Sequence, residues 1–141
     1  MAKRYYPLDV STLFGENIAL TASGVIKRSG TDIVFKIGKG RQEMSLVIRV
    51  LSATLAATNL YTFVLQGSDK QDFSGVVENL AMIEVGNAAL RTGGARTSPL
   101  GEYAMRVSND FPDEFEFVRL NMVAEGAPAI TITAYLSSPT E

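Results

Sequence analysis

Apolar and polar residues alternate with a period of two along much of this chain, and turn-forming residues interrupt the alternation every eight to twelve positions. In an extended strand, successive side chains point to opposite faces. Such a pattern therefore dictates short strands covered by a core on one side. Ile18 to Ala22 reads as a weak first strand, and Val25 to Arg28 continues or pairs with it before the turn Ser29-Gly30-Thr31-Asp32. In Asp32 to Ile37, the residues Ile33, Phe35 and Ile37 share one face. Gly38-Lys39-Gly40 then supplies the positive φ that a tight hairpin demands.

Met44 to Leu51 is the most apolar run. Met44, Leu46, Ile48 and Val50 lie on one face and Val47 and Leu51 on the other, which predicts a central strand covered on both sides. Tyr61, Phe63 and Leu65 alternate against Thr62 and Val64 in the next strand, which ends at a polar loop, Gly67 to Gly75. Val76 to Val85 carries two signals. Val77, Leu80, Ala81 and Glu84 have helical spacing, yet Ala81 to Val85 running into Gly86-Asn87 has strand character, and we read a strand. Thr92 to Gly101 is a long loop rich in Gly. Three more strands follow: Glu102 to Ser108, Glu114 to Ala124 and Ala129 to Leu136. In the last, Ile130, Ile132, Ala134 and Leu136 face inward and Thr131, Thr133 and Tyr135 outward. The result is an all-β chain of eight to nine short antiparallel strands and no helix, as in a sandwich or barrel.

With 141 residues, the chain suits one domain: an arm over 1–15, then a β-domain over 16–141. The sequence contains no His, Cys or Trp. Lacking Cys, it has no disulfides, thiolate metal sites or Cys nucleophiles. Lacking His, it cannot form a Ser-His-Asp triad or a His-ligated zinc site. Thirteen basic and fifteen acidic side chains leave a net charge of −2, which gives no attraction for nucleic acid. They are unevenly spread, eight basic against four acidic in residues 1–49 and five against eleven in residues 50–141. No run approaches the apolar length of a membrane helix, and Met1-Ala2-Lys3-Arg4-Tyr5-Tyr6-Pro7 lacks the apolar core of a signal peptide.

Few residue clusters suggest chemistry. Asp69, Asp72 and Glu78 form one acidic group, and Asp110, Asp113, Glu114 and Glu116 another. Neither has the ligand spacing of a calcium loop, and Asp favours turns for its own reasons. Gly38-Lys39-Gly40-Arg41 and Gly93-Gly94-Ala95-Arg96 lack the following helix that a phosphate cradle requires. Phe115, Phe117 and Arg119 alternate, as Tyr61 and Phe63 do, which is read as core packing rather than a base-stacking platform. No catalytic residue, cofactor or metal is expected. Lys3, Arg4, Tyr5 and Tyr6 stand apart as a basic, aromatic segment ahead of the first strand, with Pro7 interrupting any ladder. Large amphipathic side chains on such an arm suit contact with a neighbouring chain.

Three segments carry a resemblance: Tyr61 to Asp69 (Tyr-Thr-Phe-Val-Leu-Gln-Gly-Ser-Asp) with Asp72-Phe73, then Phe117-Val118-Arg119-Leu120-Asn121, then Ile130 to Leu136 (Ile-Thr-Ile-Thr-Ala-Tyr-Leu). A strand ending Leu-Gln-x-Ser-Asp, a loop with Phe, then Phe-Val-Arg-Leu and a Thr-rich closing strand resemble the small capsid cement, or decoration, proteins of tailed bacteriophages. The likeness spans roughly residues 44–136. It implies a jelly-roll-like sandwich, often a homodimer, that binds the outside of an assembled capsid. Such a subunit bridges neighbouring major capsid proteins and resists internal DNA pressure, without catalysis. It would be assembled in the host cytoplasm and end on the outer surface of the virion. The rival expectations are a carbohydrate- or receptor-binding β-sandwich of a phage tail or accessory protein, and an enzyme built on carboxylates alone.

Overall fold

A computed structural model describes residues 12–37, 44–93, 96–107 and 115–137. Its strands are β1 (Leu13–Leu20), β2 (Gly24–Val25), β3 (Lys27–Arg28), β4 (Thr31–Asp32), β5 (Phe35–Lys36), β6 (Ser45–Ala53), β7 (Leu60–Ser68), β8 (Val77–Gly86), β9 (Gly101–Arg106), β10 (Phe117–Glu125) and β11 (Ile130–Ser137). One sheet has the order β1-β11-β6-β9. The other has the order β2-β10-β7-β8, with β5 also paired to β10. Because β2 meets Asn121 and Met122 while β5 meets Phe117 and Val118, the two short strands share one edge of β10. Together they fill a single strand position, interrupted by the β3–β4 hairpin.

Each sheet thus has four positions, and the chain visits them in the order of two interleaved Greek keys. This is a jelly-roll-like antiparallel β-sandwich, the architecture expected above. The first and last long strands lie side by side, β1 against β11. The inner faces of both sheets build one core, with Leu46, Ile48, Val50, Ile130, Ile132 and Leu136 on one side and Tyr61, Phe63, Leu65, Val118, Leu120 and Met122 on the other.

Buried polar groups tie down one end of the sandwich. The Tyr61 hydroxyl accepts the Ala129 N–H at 2.9 Å and lies 2.9 Å from the Thr54 carbonyl, to which it donates. Asn59 Nδ2 donates to the Ala127 carbonyl at 2.9 Å, and Asn87 Nδ2 to the Leu55 carbonyl at 2.8 Å. The loops before β7, after β8 and before β11 are therefore one hydrogen-bonded unit, in which a fully buried Tyr hydroxyl has its partners.

Several elements depart from the simple alternation. The first strand begins at Leu13, five residues before Ile18, and Phe14 is buried. Two register shifts break the pairing of β1 with β11, between Leu13 and Gly15 and between Gly15 and Ile18. Asn17 lies in the left-handed region at φ 52°. Its N–H is bonded to Thr133 Oγ1 at 3.1 Å rather than to a ladder carbonyl. Bulges of this kind insert residues out of phase, which erased the period-two signal over residues 13–17.

A bulge also explains the double signal in β8. Leu65 pairs with Ala81 and Gln66 with Asn79, so Leu80 is the extra residue. Leu80 and Ala81 are both buried, which mimics helical spacing within a strand. The expected segment Asp32–Ile37 is divided between β4 and β5, though Ile33, Phe35 and Ile37 all pack on the core as read. Thr133 and Tyr135 do face away from Ile132 and Ala134, but they are buried too, as is Val47 beside them. By contrast, Leu51 on that same face is 47% exposed, so only part of β6 is covered on both sides.

Candidate functional site

On the outer face of the second sheet, alternation places Gln66 of β7 directly opposite Arg119 of β10. Arg119 Nε donates to Gln66 Oε1 at 2.9 Å. The same guanidinium lies over the Phe73 ring, 4.2 Å from its centre, a cation–π geometry. Phe73 belongs to the β7–β8 loop and is held at φ 57°, a region bulky residues rarely occupy. The loop is built to hold it there. Phe73 N–H bonds to the Lys70 carbonyl at 3.1 Å, and Ser68 Oγ accepts the Lys70 N–H at 3.2 Å. Asp72 accepts from Ser74 twice, from the N–H at 3.0 Å and from Oγ at 2.7 Å. Hydrogen bonds from the Ser74 hydroxyl and then its amide hold the Asp72 carboxyl below its ordinary range. Asp69 packs against Gly75, where a Cβ would lie 2.5 Å from its Oδ1.

Beside this loop stands the β3–β4 hairpin. Ser29 and Gly30 are both left-handed, at φ 52° and 79°, as a two-residue type I′ turn requires. Lys27 pairs with Asp32 across it. A shallow groove of about 520 Å³ runs between hairpin and loop, lined by Thr31, Asp32, Gln71, Asp72, Phe73 and Arg119. One guanidinium, two carboxylates, an amide and a hydroxyl border it. That lining can exchange hydrogen bonds with a polar protein surface.

The sequence-derived candidates fall into three groups. Lys3, Arg4, Tyr5 and Tyr6 lie outside the described residues, as do the Gly38-Lys39-Gly40-Arg41 turn and Asp110, Asp113 and Glu114. Asp69, Asp72 and Glu78 do not converge. Asp72 serves its turn, Glu78 accepts the Asn79 N–H at 3.0 Å, and no group of three possible metal ligands occurs among the described residues. Glu116 forms an ion pair with Lys36 at 3.3 Å. Tyr61, Phe63 and Phe115 are buried, as core packing requires. Phe117, however, is only half-buried and alternates with the core residues Val118 and Leu120, so it shares the outer face of β10 with Arg119 and is not part of the core.

The reading of the residues missed the Gln66–Arg119–Phe73 contact, since pairing of β7 with β10 is not written in either strand. It also missed a second set on the outer face of the first sheet. There Arg49 Nε pairs with Glu102 at 2.9 Å, and Arg49 Nη2 donates to the Tyr135 hydroxyl at 2.9 Å. The Glu102 hydrogen bond raises Arg49 above its ordinary value, and burial pushes the Tyr135 phenol up. Comparison with known protein families and with curated proteins finds no match to this chain.

Proposed function

We propose that this chain is a structural virion protein, a cement protein that binds the outside of an assembled phage capsid and bridges neighbouring capsid-protein subunits. One observation carries the reading. The motif residues that suggested the resemblance come from two separate segments, yet Arg119, 53 positions beyond Gln66, meets Gln66 and Phe73 in one contact on the outer face of a jelly-roll sheet. That contact locks a loop at the sheet's rim in a strained conformation, and a rigid protruding loop is a suitable docking element. The basic, aromatic arm with Lys3, Arg4, Tyr5 and Tyr6 supplies a second contact to the major capsid protein. No nucleic acid, membrane or cofactor enters the mechanism. Stabilisation is mass action: a subunit that binds only the assembled lattice favours it by RT ln(1 + [L]/Kd) at each site. The carbohydrate-binding alternative draws less support, because Arg119 covers the Phe73 ring that a sugar would stack on.

Co-sedimentation tests the proposal. The purified subunit is mixed with capsids assembled without it and spun. Saturable recovery in the pellet, and a higher temperature for capsid disruption, are the expected results. A subunit that stays in the supernatant overturns the reading. Deleting residues 2–8 is expected to weaken recovery at least about tenfold, a difference of about 1.4 kcal/mol.

A further inference from the structure

Strand β9 ends the order of the first sheet, and its six residues run Gly101-Glu102-Tyr103-Ala104-Met105-Arg106. Both edges of the jelly roll on the opposite side are disrupted. There β1 carries two register shifts, and the other sheet's edge is split between β2 and β5. Natural sheets blunt their edges in this way to prevent pairing with another chain. In contrast, β9 pairs with β6 in unbroken register from Gly101 to Arg106 and contains no Lys or Pro.

Its backbone direction follows from one hydrogen bond. Val107 N–H bonds to the Met44 carbonyl at 3.0 Å, so Val107 points its main-chain groups at the β6 side. Directions alternate along an antiparallel strand, so Met105 and Tyr103 turn theirs toward β6 as well. Glu102 and Ala104 turn theirs outward, away from the sheet. Ala104 is exposed, and Met105 is 46% exposed.

We propose that β9 joins two copies of this chain, pairing antiparallel with itself about a two-fold axis at Ala104. The strand is complementary to its own reversed copy. With Ala104 opposite Ala104, Glu102 of one copy faces Arg106 of the other, and Tyr103 faces Met105. The two-fold repeats both pairs, as an isologous interface must. Each Ala104 N–H and carbonyl exchanges bonds with its counterpart. The charged pairs lie on the outer face, where Glu102 already meets Arg49, so the second copy's Arg106 approaches the same carboxylate from the other side. The apolar pairs lie on the core side, where Tyr103 and Met105 neighbour Ile48 and Leu46. The product is one continuous eight-stranded sheet, β1-β11-β6-β9 followed by its reverse. This interface concerns the isolated subunit and stands whether or not the capsid reading holds.

Charge exchange provides the test, with mass measured by sedimentation velocity and folding checked by circular dichroism. The parent is expected to be a dimer at micromolar concentration. Glu102→Arg sets Arg against Arg across the axis, and Arg106→Glu sets Glu against Glu. Each is expected to weaken self-association at least about tenfold, since like charges directly opposite repel. Mixing the two variants should restore a dimer containing one copy of each, because the mixed pair places opposite charges at both positions. Ala104→Pro removes an outward N–H that β6 does not use. It should yield a folded monomer. A parent that is monomeric at these concentrations overturns the proposal. So does a folded Ala104→Pro variant that remains dimeric, or a pair of variants that do not combine on mixing.

Discussion

Alternate residues of β11 have different work to do, although both faces are covered. Ile132 points into the core between the sheets, and replacing it with Ala should cost about 2–5 kcal/mol through lost contacts and the cavity left behind. Thr131 is half-buried on the outer face, and Thr131→Ala should stay within about 0.5 kcal/mol. Thr133 shares that face but is buried and accepts the Asn17 N–H. Thr133→Ala leaves that donor without its partner and should cost about 1–3 kcal/mol. Chemical denaturation of the three variants checks the order Ile132, then Thr133, then Thr131. Equal losses at Thr131 and Thr133 would show that the Asn17 bond contributes nothing. The Thr-Ile-Thr alternation told which face each residue takes. It was silent on Thr133, because its role depends on a bulge in a strand that lies 116 positions away in sequence.

Strand β8 and the loop before it show how an element is specified by its neighbours. Gly67 lies beneath the β8 bulge, where a Cβ would stand 2.6 Å from Leu80 Cδ1 and 2.9 Å from Phe115 Cβ. Gly67→Ala should therefore cost about 1–3 kcal/mol by overpacking. Combined with Leu80→Ala, the loss should be smaller than the sum of the two single losses by at least about 0.5 kcal/mol, since shortening Leu80 makes room. Additive losses would place the bulge elsewhere. The loop itself responds to acid. Hydrogen bonding from Ser74 depresses the Asp72 pKa in the folded chain. The bonds to Ser74 are therefore present above the ordinary carboxylate value and disappear as pH falls through the lower, folded value. Followed by NMR, the Ser74 amide resonance should shift with a midpoint below that of a free Asp. A midpoint at or above the free value would exclude the Asx turn.

At the scale of the molecule, the consequence of the jelly roll is that the sandwich cannot finish folding until β11 is in place. Strand β11 occupies an interior position, between β1 and β6, and covers the core with Ile130, Ile132 and Leu136. A chain truncated after Ala129 should lose cooperative thermal unfolding altogether, because β1 would have no ladder partner and the core would be open. A truncated chain that melts in a single sharp transition would show that β11 is dispensable. The same long-range pairing predicts refolding in the milliseconds-to-seconds range typical of all-β topologies, measurable by stopped flow.

What the sequence by itself determined was local. Period-two alternation specified strands and their inner faces, as at Leu46-Ile48-Val50 and Ile130-Ile132, and Ser29-Gly30 specified a tight turn. The absence of His and Cys removed whole classes of chemistry before any fold was known. Tertiary structure alone decided which strands pair, because main-chain hydrogen bonds are the same for every sequence and carry no record of their partner. It therefore also decided that Gln66, Phe73 and Arg119 meet, that Leu80 is out of phase and that β1 begins at Leu13. Bulges were illegible for a related reason. One inserted residue shifts every following side chain to the opposite face, and only the partner strand shows where the shift occurs.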